Sequence, residues 1–222
     1  MIPSEIKAVC FEYWFIKVCD EWDMNYNKDQ VDFKGQIAIK KDDGYTRSIY
    51  GSEIHDDNRS EYEWKLRLKF LDSRKRIETY IGVIQDKKEC LMAHLGNYDY
   101  DHGYHTNGYG CWLCTDGAFS NNGMETTIVH RIDPSKQDTV QYEMKIDLKS
   151  KKIYFSVDDN DYVEAPYTLK GDRYRLVVTL ITTNVQVELL WVTKIFPLQN
   201  DEEQLFFELR NFGRIILECD QK

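Results

Sequence analysis

Cys111 and Cys114 form a Cys-x-x-Cys, and His102 and His105 lie a few residues upstream. These are the residue types that hold zinc, but zinc needs four ligands converging at ~2.0–2.3 Å, and in zinc knuckles the Cys-x-x-Cys sits on a tight turn. Here the pair falls in a run that reads as a strand, where positions i and i+3 point to opposite faces. No second Cys-x-x-Cys completes the set, so we expect packed cysteines and no metal. A thioredoxin-like redox pair is disfavoured too, because it needs a helix N-terminus to lower the thiol pKa. With six cysteines and five histidines, a Cys-His nucleophile such as Cys90 or Cys111 with His94 or His130 can always be drawn. None has a glycine-rich elbow or an oxyanion motif beside it. Asp158-Asp159-Asn160-Asp161 is acidic enough to suggest calcium but lacks the central glycine and distal glutamate of an EF-hand loop. It reads as a solvated hairpin tip. No phosphate-binding glycine loop is present, and no cofactor is expected.

The other chemistry on offer is recognition. Between Asp86 and Tyr109, the residues Tyr98, Tyr100, Tyr104 and Tyr109 alternate with Asn97, Asp99, Asp101, His102, His105 and Asn107, punctuated by Gly96, Gly103 and Gly108. Tyrosine gives a large amphipathic contact at small entropic cost, and Gly and Asn let a loop adapt. A connection of about 20 residues in a compact domain is usually functional or disordered. The opposing reading is a loop that folds back and buries its own tyrosines.

The elements that must carry this loop are strands. Tyr62, Trp64, Leu66, Leu68 and Phe70 alternate with Glu63, Lys65, Arg67 and Lys69, which gives one apolar and one charged face. Val140, Tyr142, Met144, Ile146 and Leu148 repeat the pattern, followed by Ile153, Phe155 and Val157 after a short Lys149-Ser150-Lys151 turn, then by Tyr174, Leu176, Val178 and Leu180. Further strands are expected around Val31 to Ile39, Thr46 to Ile54, Ile77 to Ile84, Gly110 to Cys114, Thr126 to Ile132 and Val185 to Val192. Two apolar runs, Leu205 to Leu209 and Ile215 to Leu217, predict a last hairpin. Recurrent short strands with polar connections are the all-β signature.

The first 23 residues depart from it. Pro3 and Ser4 suit a helix start, and at 100° per residue Ile6, Val9, Cys10, Tyr13 and Ile16 form one stripe while Phe11, Phe15 and Val18 form another. Two apolar stripes need two surfaces, so this helix is expected to pack on the sandwich and to offer a route to self-association or to a neighbouring domain. The expected organisation is an N-terminal α-helix over 1–23, a connecting strand segment over 24–44, an antiparallel β-sandwich over 45–190, and C-terminal strands over 191–222 packed on it.

The totals exclude several classes. At 222 residues, 42% hydrophobic and 14% aromatic, the chain can bury a real core. A net charge of −9 without a basic stripe argues against nucleic acid. No run approaches the ~18 apolar residues of a membrane span. Six cysteines at irregular spacing are too sparse for a disulfide scaffold, which points to a reduced, cytoplasmic protein.

The order of these pieces resembles the SPRY domain, a bent β-sandwich used in protein recognition. Three groups of residues carry the resemblance: Tyr62-Glu63-Trp64-Lys65-Leu66 followed by Tyr80-Ile81-Gly82-Val83-Ile84; Gly108-Tyr109-Gly110-Cys111-Trp112; and Asp138-Thr139-Val140 running through Met144-Lys145-Ile146-Asp147-Leu148 to Ile153-Tyr154-Phe155-Ser156-Val157. It covers about residues 45 to 190. Where the family often has Asn-Gly at a hairpin turn, this chain has Asp159-Asn160, and no PRY segment precedes the domain. Leu180-Ile181-Thr182-Thr183 replaces an aromatic found in members that bind short peptides, so their specificity is not carried over.

The resemblance implies a non-catalytic module that binds a peptide or protein surface through loops at one end of the sandwich. The expected contact residues are Tyr98, Tyr100, His102, Tyr104, His105 and Tyr109, joined by Tyr50 from the Tyr45 to Asn58 segment and by Thr182 and Asn184. A carbohydrate-binding sandwich would use the same kind of loop, and a Cys-His hydrolase is the third reading.

Overall fold

The computed structural model describes residues 13–18, 21–41, 47–55, 61–72, 79–86, 110–115, 117, 119–121, 124–126, 136–183 and 185–197. These contain fourteen β-strands in two antiparallel sheets and no helix. The eight-stranded sheet holds β1 (Tyr13–Val18), β2 (Val31–Lys34), β3 (Ile37–Lys40), β5 (Glu61–Phe70), β10 (Thr139–Asp147), β11 (Lys152–Val157), β12 (Val163–Glu164) and β14 (Val185–Pro197). Its order is β12-β11-β10-β5-β14-β3-β2, with β1 also on β14. The six-stranded sheet, β4-β13-β6-β7-β8-β9, is built from β4 (Arg47–His55), β6 (Thr79–Gln85), β7 (Gly110–Cys114), β8 (Phe119–Asn121), β9 (Met124–Thr126) and β13 (Arg173–Leu180).

The period-2 patterns dictate what faces inward. Trp64 lies opposite Met144 on β10 and Val192 on β14, and Leu66 lies opposite Tyr142 and Leu189; all are buried in one core. A bulge between Leu189 and Trp191 adds one residue to β14, so Val192 rather than Trp191 turns inward. From the other sheet, Ile81, Val83, Cys111, Leu113, Tyr174, Leu176, Val178 and Leu180 close the same core. Trp64 is stacked on Tyr62, with ring centroids 6.0 Å apart. Burial pushes the Cys111 thiol pKa up, as expected of an apolar site and not of a reactive cysteine. The side chains of Trp112 and Cys114 lie outside the described residues.

Two expectations are corrected. Residues 13–18 are not helical: they pair with β14 from Tyr13↔Pro197 to Val18↔Val192. Tyr, Trp, Phe, Ile and Val are strand formers, and the ladder along β14 outweighs the helical periodicity; residues 1–12 and 19–20 lie outside the described set. Within the 24–44 segment, β2 and β3 form a hairpin across Gly35 (φ +61°) whose outer pairing, Val187↔Ala38, extends the large sheet. No break occurs at 190/191, since β14 runs to Pro197. The C-terminal runs over 205–217 lie outside the described residues.

Two turns show how local chemistry sets register. The hairpin after β11 is centred one residue earlier than its sequence suggests: Asp158 and Asp159 have φ of 53° and 58°, and the Asn160 N–H donates to the Val157 carbonyl at 3.2 Å. Two left-handed residues define the type I′ turn, for which Asn-Gly is the usual choice. Here the aspartates are held by their side chains: Asp158 accepts from the Gln141 N–H at 2.8 Å, and Asp159 meets Lys65 at 3.2 Å. In the β10–β11 turn, one Asp147 carboxylate oxygen accepts from the N–H groups of Lys149 and Ser150, and the other from the Ser150 hydroxyl at 2.6 Å. Burial works to raise the pKa of Asp147, but the Ser150 and Lys149 hydrogen bonds outweigh it and hold the carboxyl below its ordinary value.

Replacing Trp64 by Ala should cost about 3–5 kcal/mol, read as a shift in the denaturation midpoint; a midpoint close to wild type would refute the packing described for this strand. A carboxyl with a lowered folded-state pKa contributes stability that is present above its unfolded value and lost as pH falls through the folded one. The stability difference between wild type and Asp147→Asn should therefore be constant near neutrality and shrink below about pH 4. Equal acid profiles for the two proteins would contradict this.

Candidate functional site

The two ends of the sandwich differ. Along β13, Tyr174 pairs with Gln85 at one end and Leu180 with Thr79 at the other, while Ile84 pairs with Gly110. Gln85 and Gly110, the strand ends that flank residues 87–109, thus share an end with Arg173 and His55. Leu180, at the opposite end of β13, is about 20 Å from Tyr174 along the strand at ~3.3 Å per residue, and Thr182 lies beyond it. Thr182 is half-buried, and the neighbouring Ile181 carbonyl is held by the buried Lys40 ammonium at 2.7 Å. Thr182 thus lies at the end of β13 away from the strand ends that flank residues 87–109.

Tyr50 is also corrected. It is 2% exposed and packs with Tyr80, Ile84 and Val177 on the outer side of the six-stranded sheet. The Tyr26 ring meets it edge-on at 5.0 Å. Tyr98, Tyr100, His102, Tyr104, His105, Tyr109 and Asn184 lie outside the described residues.

Around the flanking strand ends, sequence reading missed a network of charges. The Arg175 guanidinium reaches Asp23 at 2.8 Å, Asp86 at 3.0 Å and the Gly51 carbonyl at 3.3 Å. Arg173 pairs with Glu53 and lies 3.7 Å from the other oxygen of Asp86. Arg175, Asp23 and Asp86 retain only 16%, 18% and 9% side-chain exposure, so these pairs are screened far less than surface pairs. The Asp86 N–H donates to the Arg173 carbonyl at 2.8 Å, fixing the chain where it leaves β6. Gly171 (φ +101°) sits against the same place: a Cβ there would lie 1.9 Å from Gln85 Nε2. The i, i+2 spacing of Arg173 and Arg175 was visible as one strand face, but nothing local identified the acids that meet them, drawn from three distant segments.

The segment 21–30 locks this corner. The Trp22 indole N–H donates to the Gln36 carbonyl at 2.7 Å, the Asp23 N–H to the Tyr50 carbonyl at 2.7 Å, and the Asn27 amide to the Ser48 carbonyl at 2.7 Å. One short stretch thereby ties the β2–β3 hairpin to β4. Among the described residues, no three His, Cys, Asp or Glu are grouped so as to hold a metal ion.

No family model and no characterised protein matches the chain in sequence. In structure it is similar to the SPRY domain of human HERC1, with TM-score 0.53 and 14% identity over 79% of this chain and 99% of that one. The PSpry domain of TRIM65 gives TM-score 0.52 and 10% identity over 77% and 90% of the two chains. A lectin from Bauhinia forficata in complex with GalNAc gives TM-score 0.51 and 9% identity over 83% and 99%. The fold is a SPRY-like β-sandwich.

Arg175→Leu should leave Asp23 and Asp86 short of a counter-charge and cost ~2 kcal/mol, between the surface and fully buried limits. Thermal melting checks it; a curve that overlays wild type would mean the network adds nothing to this corner.

Proposed function

We propose that the chain is a non-catalytic interaction module that binds a protein or peptide through residues 98–109. The observation that carries the reading is the anchorage of Gln85 and Asp86, where the connection that carries these tyrosines begins: an ion-pair network, a backbone bond to Arg173 and a glycine contact converge there. Adaptable loops on fixed strand ends are how sandwich scaffolds present binding residues. The SPRY-like fold and the ordered motifs from Trp64 to Val157 support a protein partner. Tyr98, Tyr100 and Tyr104 are the aromatic anchors of choice, with His102, His105 and Tyr109 around them. Thr182, beyond the other end of β13, falls outside the proposed surface.

The fold likeness to a lectin solved with GalNAc makes a glycan the alternative ligand, and the same experiment separates the two. Partners captured by the wild-type chain are identified by mass spectrometry and titrated against a variant carrying Tyr98→Ala, Tyr100→Ala and Tyr104→Ala. Affinity should fall by at least tenfold, ~1.4 kcal/mol, at an unchanged melting temperature, while Thr182→Ala binds as wild type. Undiminished capture by the triple variant, unfolding of that variant, or selective binding on a glycan array in place of protein capture would each defeat the proposal.

A further inference from the structure

Far from the 86–110 corner, the outer face of the eight-stranded sheet carries a linked set of polar groups. Tyr162, between β11 and β12, is 39% exposed; every other tyrosine whose side chain is described is buried or half-buried. Its hydroxyl donates to Glu63 at 2.6 Å and lies 3.1 Å from Glu143. The second Glu143 oxygen is held by Lys65 at 2.5 Å, and Lys65 also reaches Asp159 at 3.2 Å. One phenolic proton faces two carboxylates, and the nearby ammonium is already engaged by two acids. Asp158, Asp159 and Asp161 precede the tyrosine, and Glu164 follows it. Residues 160–162 belong to no strand, and β12 pairs with β11 at only two positions, Tyr154↔Glu164 and Phe155↔Val163.

We infer that Tyr162 is a phosphorylation site for a tyrosine kinase that selects acidic residues ahead of its target, and that the modification detaches the 158–164 segment from the sheet face. The acids at positions −1, −3 and −4 supply the charge that a basic substrate cleft recognises. The stretch outside the ladder can extend into such a cleft after giving up side-chain contacts at a partly exposed edge, where local opening is easiest. In the transfer, the γ-phosphorus of ATP forms a bond to the Tyr162 phenolic oxygen. Its bond to the β,γ-bridging oxygen breaks, ADP leaves with that electron pair, and the phenolic proton passes to the kinase's base. The product places a charge of about −1.5 to −2 beside Glu63 and Glu143 in place of a hydrogen-bond donor. Attraction becomes repulsion, and Tyr162 loses its ties to Glu63 on β5 and Glu143 on β10, which leaves the turn contacts of Asp158 with Gln141 and of Asp159 with Lys65 to hold the segment against that repulsion.

The test incubates the full chain with Mg·ATP and a tyrosine kinase of acidic preference, then maps the modified peptides. Expected are one phosphoryl group on Tyr162, slower incorporation in Asp161→Asn, none at this position in Tyr162→Phe, and a lower melting temperature with faster proteolysis between 158 and 164 in the modified protein. No incorporation, or incorporation at other tyrosines with Tyr162 untouched, overturns the site. Modification of Tyr162 with unchanged melting and proteolysis overturns the detachment. Because the wild-type chain is itself the substrate, the outcome does not hang on the folding of any variant.

Discussion

The six-stranded sheet must be covered on both sides. All seven residues of β6 are buried, and β13 is buried at six of its eight positions. The side toward the large sheet is filled by the main core, but Tyr50, Tyr80, Ile84 and Val177 point the other way and need an apolar cover of their own. Part of that cover is the 21–30 strap, whose Tyr26 packs on Tyr50. Two hydroxyls trapped in this sheet satisfy each other: those of Ser48 and Thr179 bond at 3.0 Å across β4 and β13. An unpaired hydroxyl there would cost much of the stability that burial provides. The charges of Asp23, Asp86, Arg173 and Arg175 sit at the margin of this two-sided layer, where water is scarce enough for ion pairs to be firm and close enough for them to be tolerated.

The large sheet solves the opposite problem. Its outer face carries cross-strand pairs in register: Lys65 opposite Glu143, with further ion pairs between Arg67 and Glu188 and between Lys145 and Glu61. Glu143, with Asp159 behind it, raises the Lys65 pKa against a burial that works to lower it. Such a face is self-complementary in charge and offers a partner little unspent attraction.

Strand identity and facing were legible in the residues themselves wherever one face is wet. The alternations from Tyr62 to Phe70 and from Val140 to Leu148 place every apolar side chain in the core where it is found. Legibility failed where both faces are dry or where a ladder decides. Tyr50 sits in a strand with apolar residues on both faces, so composition did not tell surface from second core. Tyr13–Val18 carries a helical periodicity, yet the unpaired edge of β14, nearly 180 residues away in sequence, settles its conformation. The turn at Asp158-Asp159 was displaced by one residue because the contacts that hold it, to Gln141 and Lys65, are tertiary. Where Thr182 stands relative to the ends of β6 and β7 follows from strand direction, which a list of strands does not contain.

The place of β5 has a consequence for the time course of synthesis. This strand is the middle of the large sheet, and its two neighbours, β10 and β14, begin at Thr139 and Val185. A ribosome would therefore have extruded Tyr62, Trp64, Leu66, Leu68 and Phe70 long before either flank existed, and the second flank begins more than a hundred residues after Phe70. Loop closure over such separations makes assembly slow relative to local hairpins. The charged residues between these apolar ones, Glu63, Lys65, Arg67 and Lys69, then have a second duty: they keep a waiting strand soluble and guard it against pairing with another nascent chain.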